Sequence, residues 1–381
     1  MFIALRDLKF AKGRFLLMGL VVALVAFLMT FLSGVAAGLI RNNISGLIQL
    51  DVTHLSFEYN NNKPSYRNSM IEREMWEGWQ ALPGVLSAEP MGHTMFGARQ
   101  MNDAPLDDVV LWGIQPGSFL EPEVLEGEAL GRLENGVIIS ELLVDRGLKL
   151  GDKFILDRVL TELEVVGIVG EHTIGHVPIV YTPIRKWQEA TYGPPGGPPP
   201  GEVLPDILYD FATIIALQVS QDFNQNRMEN ADMELGTLTI DKVDAYEASS
   251  GYIEEVRTVQ MIQAFLTVIS AVVIGAFFTV WTIQRTKEIG LIKALGGSSA
   301  YLLRDALSQV IILMVMGTVV GTSIAIWLGG GIETTGGFFV LDRDTVIASS
   351  ILLIVAGLIG SALSIRLITR VDPIIALGRE Q

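Results

Sequence analysis

The chain contains no cysteine and only four histidines. Without cysteine there is neither a disulfide framework nor a thiolate nucleophile, so an exported part must hold together by core burial alone. A domain of about 220 residues can bury such a core without staples. Other signatures are missing too. No Gly-x-x-x-x-Gly-Lys-[Ser/Thr] is present, which excludes a P-loop in this chain, and neither His-Glu-x-x-His nor Gly-x-Ser-x-Gly occurs. Read from motifs, the chain is no enzyme and holds no intrinsic cofactor. His172 and His176 stand four apart, a metal-ligand spacing if the segment were helical. Gly175 and the flanking strand patterns argue against a helix, and no third ligand is near, so no metal site is expected. His54 and His93 are isolated and read as structural or solvent-facing.

Hydrophobic residues make up 50%, mean hydropathy is +0.42, yet net charge is −15. These agree only if charge is segregated from long apolar runs. Four such runs are present, Phe15 to Ile40, Met261 to Trp281, Leu302 to Leu328 and Thr345 to Leu367. Each is long enough to cross a hydrocarbon core of about 30 Å as a helix, and the first and third can tilt. The first is about 26 residues, well beyond a signal-peptide core of roughly 7–15, and reads as a retained span.

Basic residues orient these spans. Arg6, Lys9, Lys12 and Arg14 precede the first, Arg285, Lys287, Lys293 and Arg304 follow the second, and Arg366, Arg370 and Arg379 end the chain. The connection from the third span to the fourth has only Arg343. By the positive-inside rule both termini are cytoplasmic and the long segment between spans one and two lies outside. Residues 41–257 carry 34 acidic and 15 basic side chains, which makes nucleic acid an unsuitable partner.

The expected order is an interfacial amphipathic helix at 1–14, a first span at 15–40 and an extracytoplasmic α+β domain at 41–257. A second span follows at 258–284, a charged cytoplasmic helix at 285–299, a third span at 300–328, an outer loop at 329–344, a fourth span at 345–367 and a cytoplasmic tail at 368–381. In the first segment Phe2, Leu5, Leu8 and Phe10 interleave with basic residues, as suits a helix lying among lipid headgroups. Within the domain, Arg73 to Leu82 reads as helix. Strands are expected at Val109–Ile114, at Gly136–Ser140 leading into a helix Glu141–Gly147, at the end of Gly147–Leu156, and at Leu163–Val169, Val177–Tyr181 and Ala212–Val219. The sheet is expected to be mainly antiparallel or mixed. The Pro/Gly stretch 193–201 is expected as an exposed loop. Gly317, Gly321, Gly357 and Gly360 suit close helix approach as well as ordinary membrane-helix usage.

Two stretches carry candidate function. At the outer ends of spans one and two stand Tyr246, Glu247, Tyr252, Glu254 and Glu255, with Met29 and Met261. A carboxylate beside a bilayer is solvated, paired or bound to a ligand, and thioether, carboxylate and phenolate are all iron or haem ligand types. Glu255, Met29, Tyr252, Glu254 and Met261 are the candidates for a ligand site at these ends. Solvated carboxylates and helix-packing methionines are the plainer alternative. The second stretch is Gln284-Arg-Thr-Lys-Glu-Ile-Gly-Leu-Ile-Lys-Ala-Leu-Gly296, a short charged helix joined to a membrane helix.

That stretch, the C-terminal Val371-Asp-Pro-Ile-Ile-Ala-Leu377 and the layout of one span, a long outer domain and three later spans resemble the permeases of MacB/FtsX-like (type VII) ABC transporters. Within that family, Arg14-Phe-Leu-Leu with Ser33-Gly-Val-Ala-Ala-Gly38 and Arg41-Asn-Asn-Ile-Ser45, then Gly251-Tyr-Ile-Glu-Glu255 with Met261-Ile262, and Thr282-Ile-Gln284 resemble the haem-efflux permeases. The Pro/Gly loop departs from them. The resemblance implies a bacterial plasma-membrane homodimer embedded in lipid, working with two copies of a separate ATP-binding subunit that carries ATP and magnesium. Lys287, Glu288 and Lys293 would meet that subunit while Ile289, Leu291, Ile292 and Leu295 fill its groove. Haem is the implied cargo, and ATP-driven closure of the subunits would move the outer domains. Two alternatives remain: the same fold exporting lipid, lipopeptide or antibiotic, or an FtsX-like regulator of a cell-wall hydrolase.

Overall fold

The computed structural model describes residues 12–60, 63–197, 204–284, 298–333, 338–341 and 343–369. Most of the expected interfacial helix, the coupling residues from Lys287 to Leu295, the end of the Pro/Gly loop and the C-terminal tail lie outside the described residues. The chain divides into two compact units, a helical unit of residues 1–39 and 255–381 and an α+β domain of residues 40–254.

In the helical unit, apolar runs make long helices because no proline interrupts them. These are α1 (Lys12–Gln49, whose last turns belong to the other unit), α6 (Tyr252–Gln284), α7 (Ser299–Glu333) and α8 (Arg343–Thr369). Among the described residues three stretches are long and apolar enough to cross a membrane, Phe15–Gln49, Tyr252–Val280 and Leu307–Ile332, and α8 contributes the shorter apolar run Val346–Ala362. Helix α7 continues through Gly329-Gly-Gly331 to Glu333, past the end at 328 that hydropathy suggests. The ring of Phe339, only 2% exposed, closes over Gly34 and Gly329, and the Val340 N–H donates to the Gly34 carbonyl at 3.0 Å.

Small residues set the helix approach. A Cβ on Gly321 would stand 2.1 Å from the Ala23 carbonyl oxygen of α1, and one on Gly360 would stand 2.3 Å from the Ala271 carbonyl of α6. Neither neighbour is a side chain that can swing aside, so these glycines serve packing. Gly321→Ala is therefore expected to push α1 and α7 apart, costing about 1–3 kcal/mol. Its melting temperature in detergent checks this. Gly330→Ala, where a Cβ meets nothing within 4 Å, is the control and should be neutral.

The α+β domain is built on an 11-stranded mixed sheet in the order β13-β1-β12-β3-β4-β10-β6-β8-β5, with β7 pairing β3 and β8. Its strands are β1 (His54–Glu58), β3 (Val85–Gln100), β4 (Pro105–Ile114), β5 (Glu126–Gly127), β6 (Gly136–Ser140), β7 (Lys153–Leu156), β8 (Thr161–Val169), β10 (Val177–Pro183), β12 (Ile214–Val219) and β13 (Thr237–Asp241). The two-residue strand β9 (Thr173–Ile174) pairs with β10 and completes this sheet, while β2 (Ile71–Glu72) and β11 (Phe211–Ala212) form a separate two-stranded sheet. The β4–β10 and β6–β8 pairs are parallel and the remaining pairs antiparallel. Strand β3 spans both halves of the sheet: Val85 to Met91 pairs with β12, and Gly92 to Arg99 pairs with β4. Helices α2 (Arg73–Gln80), α3 (Glu141–Asp145), α4 (Ile184–Tyr192) and α5 (Gln225–Leu235) cover the sheet. Trp79 and Trp187, from α2 and α4, are fully buried and supply large apolar area to the core.

Candidate functional site

The last turns of α1 are part of the α+β domain. Ile44, Leu47 and Leu50 enter its core with Phe57, Met91, Trp112, Ile179 and Tyr181. The polar residues between them are keyed to the β9–β10 hairpin, whose turn residues Gly175 and His176 both take positive φ, as a two-residue hairpin turn requires. Ser45 Oγ donates to the Glu171 carbonyl at 2.9 Å and accepts from the Thr173 N–H at 2.8 Å. The Gly175 N–H donates to the Asn43 carbonyl at 2.8 Å, and Ser249 Oγ donates to Asn43 Oδ1 at 2.8 Å. Lys242 Nζ donates to the Ile48 and Leu50 carbonyls at 2.9 and 2.5 Å, capping the helix C-terminus with a cation where the helix dipole favours one. Burial holds its ammonium below the usual lysine range, with Asp51 opposing that shift. Ile44, at φ −124° and ψ 16°, interrupts the helix inside this joint.

The histidines are committed to the fold. His176 Nδ1 bonds Asn42 Oδ1 at 2.9 Å, and its Nε2 faces Asn43 Nδ2 at 3.5 Å. His172 Nδ1 bonds the Tyr181 hydroxyl at 2.7 Å, and burial lowers its pKa to about 4. His93 Nδ1 accepts the Trp112 indole N–H at 3.0 Å; burial, with the nearby Arg67 charge, lowers its pKa to about 3. Among the described residues no group of three His, Asp or Glu side chains is disposed to hold a metal ion.

The structure distributes the sequence-predicted ligands over both units. Met29 is 3% exposed, within the helical core of Val22, Ala26, Ile274, Phe278 and Met314. Met261 is 54% exposed at the head of a run on α6 that continues through Phe265, Val268 and Val272. Glu255 is half-buried and Glu254 exposed. Tyr252 packs against the α+β core, edge-on to Tyr246 with ring centroids 6.2 Å apart.

Two features were not anticipated from sequence. One is the keyed joint at the end of α1. The other is a cavity of about 140 Å³ in the α+β domain, lined by Ser65, Tyr66, Arg67, His93 and Met95 among others. Gly251-Tyr-Ile-Glu was visible as a polar boundary, but the partners of Asn42 and Asn43 lie far away in sequence and carry no local signal.

Residues 261–373 match the FtsX-like permease C-terminal family. With the apolar helices, this marks the C-terminal part of the chain as an FtsX-like permease domain. Over its full length the chain is similar to a Staphylococcus haemolyticus protein provisionally named hemin transport system permease protein HrtB. That match is 25% identical over 376 residues, covering 99% of each chain. The macrolide export ATP-binding/permease protein MacB of Acinetobacter baylyi is 26% identical over 178 residues, 44% of this chain and 27% of that one. Among solved structures, the periplasmic region of MacB from Actinobacillus actinomycetemcomitans aligns with TM-score 0.38 and 15% identity, over 55% of this chain and 96% of that one.

Proposed function

We propose that this chain is the membrane subunit of an efflux pump that removes haem from the outer leaflet, driven by a separate ATP-binding subunit. The observation that carries the reading is the similarity across 99% of both chains to a permease named for hemin transport. Two copies of the chain pair through spans one and two, because four helices are too few to enclose a flat ligand of this size. The α+β domain lies outside and both termini lie in the cytoplasm, as the basic residues direct. The ATP-binding subunit grips Lys287, Glu288, Lys293 and the apolar side chains between them, and its closure tilts the helices.

Glu255 and Met29 ligate the iron, with Tyr252, Glu254 and Met261 beside them. Met29 is covered by its own chain, so it reaches a ring only after the helices part; Glu255 and Met261 need no such step. The purified homodimer titrated with haem should give a saturable Soret band. Glu255→Gln or Met29→Leu should displace that band or weaken binding about tenfold. If neither variant changes the band, the ligand assignment falls. If haem also fails to stimulate ATP hydrolysis in the reconstituted complex, the cargo assignment falls with it.

A further inference from the structure

None of the proposed cargo ligands lines the cavity beneath the β9–β10 hairpin, and the inference drawn from it does not rest on them. We propose that it binds a carboxylate carried on a short apolar stem, with the Arg67 guanidinium as counter-charge and His93 Nε2–H as a neutral donor. Three observations lead there. First, the ring of His93 has its Nδ1 taken by the Trp112 indole N–H, so the neutral ring carries its proton on Nε2. Among the described residues that Nε2–H has no hydrogen-bond partner. Second, Arg67 is exposed at the cavity, and among the described residues its guanidinium donates only to Met95 Sδ, at 3.9 Å. Among the described residues it has no carboxylate partner, although residues 41–257 carry 34 acidic side chains against 15 basic ones. Third, none of the lining side chains is acidic, and Val110, Ile174, Met95 and Ala248 give the cavity an apolar wall.

The donors exclude a cation, and the apolar wall disfavours a bare inorganic anion. A volume of about 140 Å³ is close to that of a cavity known to admit benzene, about 150 Å³. A planar carboxylate on two or three carbons fits that space and takes a forked contact from arginine. Burial keeps His93 uncharged across the physiological range, so the site offers one full positive charge, matched to one carboxylate.

Two sources supply this chemistry, a free short-chain acid or the carboxylate arm of a larger molecule whose body stays outside. Calorimetric titration of the full-length chain in detergent separates them, with sodium propionate as probe and propionamide as its neutral isostere. Saturable propionate binding is expected, at least tenfold tighter than propionamide, and at least tenfold weaker in Arg67→Gln with an unchanged melting temperature. Displacement of propionate by protoporphyrin IX, but not by its dimethyl ester, would identify a carboxylate arm; no displacement by either would identify a free acid. Equal binding of propionate and propionamide, or propionate binding indifferent to Arg67→Gln, overturns the proposal. So does the absence of propionate binding together with porphyrin binding unaffected by Arg67→Gln.

Discussion

Lowering the pH from 7.5 to 4.5 is expected to remove about 4 kcal/mol from the stability of the α+β domain, enough to bring a typical domain close to its unfolding midpoint. The effect comes from His93 and His172. In the unfolded chain both titrate near 6.5, whereas in the fold burial lowers them to about 3 and about 4. The native state therefore requires both rings neutral. The stability this contributes is present in full well above pH 6.5, is lost as pH falls from 6.5 to about 4 for His172 and to about 3 for His93, and falls no further once the folded rings also protonate. Each ring is worth about 1.4 kcal/mol per pH unit inside the window, and the total is reduced because His93 keeps some solvent contact. Glu89, raised by burial, works in the opposite direction and softens the slope.

The chemistry behind this dependence is specific. A protonated His93 can no longer accept the Trp112 indole proton, which orphans a buried donor between β3 and β4. A protonated His172 can still meet the Tyr181 hydroxyl, but only by burying a charge next to a phenol that burial already holds protonated. Urea unfolding of the detergent-solubilised chain at several pH values, followed by tryptophan fluorescence, measures the effect. In His93→Gln the acid-induced loss should fall by about half, and in the double variant with His172→Gln it should nearly vanish, whatever the stability at pH 7.5. An undiminished acid response in the double variant would place its origin among the carboxylates.

Much of the sheet is legible from alternation and apolar runs. The Gly136–Ser140 strand is found with the same bounds, and Val109–Ile114, Leu163–Val169, Val177–Tyr181 and Ala212–Val219 fall on β4, β8, β10 and the β11–β12 stretch. Helix Arg73 to Leu82 is found as α2, ending at Gln80. Strand β3 is the instructive failure. Pro90, Gly92 and Gly97 punctuate it like loop residues, because the space a side chain would occupy is taken by residues that local reading does not bring near. The end of α1 was hidden for a similar reason. Arg41-Asn42-Asn43 reads as an exit from a membrane helix, and only the β9–β10 hairpin, 134 positions away, makes those amides helical and buried. Local pattern reports which face is apolar but not what covers it. That is why Met29 could be read as a candidate sulfur ligand while its enclosure by α6 and α7 could not be read at all.

Gly92→Ala is expected to destabilise the α+β domain by about 3 kcal/mol, at the upper end of what one added methyl costs in a packed core. Gly92 of β3 and Gly113 of β4 are direct cross-strand partners, and the indole of Trp187 lies over both. A Cβ at 92 would stand 2.1 Å from Trp187 Cδ2, and one at 113 would stand 2.4 Å from Trp187 Cβ. The indole has nowhere to retreat. It is fully buried, its Nε1–H donates to Thr94 Oγ1 at 3.1 Å, and Tyr192 meets it edge-on at 5.6 Å. Backbone strain is not the cause, since Gly92 is not in the positive-φ region and alanine is at home in its extended conformation. The clash is thus with the indole ring itself, at Cδ2, Cε2 and Cε3, and the prediction becomes one of coupling. On a Trp187→Ala background, where the ring is gone, Gly92→Ala should cost less than about 1 kcal/mol, giving an interaction energy near 2 kcal/mol between residues in contact. Urea midpoints at unchanged m-value for the four members of the cycle supply the test. If Gly92→Ala costs the same on both backgrounds, the glycine serves the strand and not the tryptophan. Because His93 follows Gly92 directly, the displacement should also reach the ring that receives the Trp112 proton, so Gly92→Ala should weaken propionate binding where Gly330→Ala, in the helical unit, leaves it unchanged.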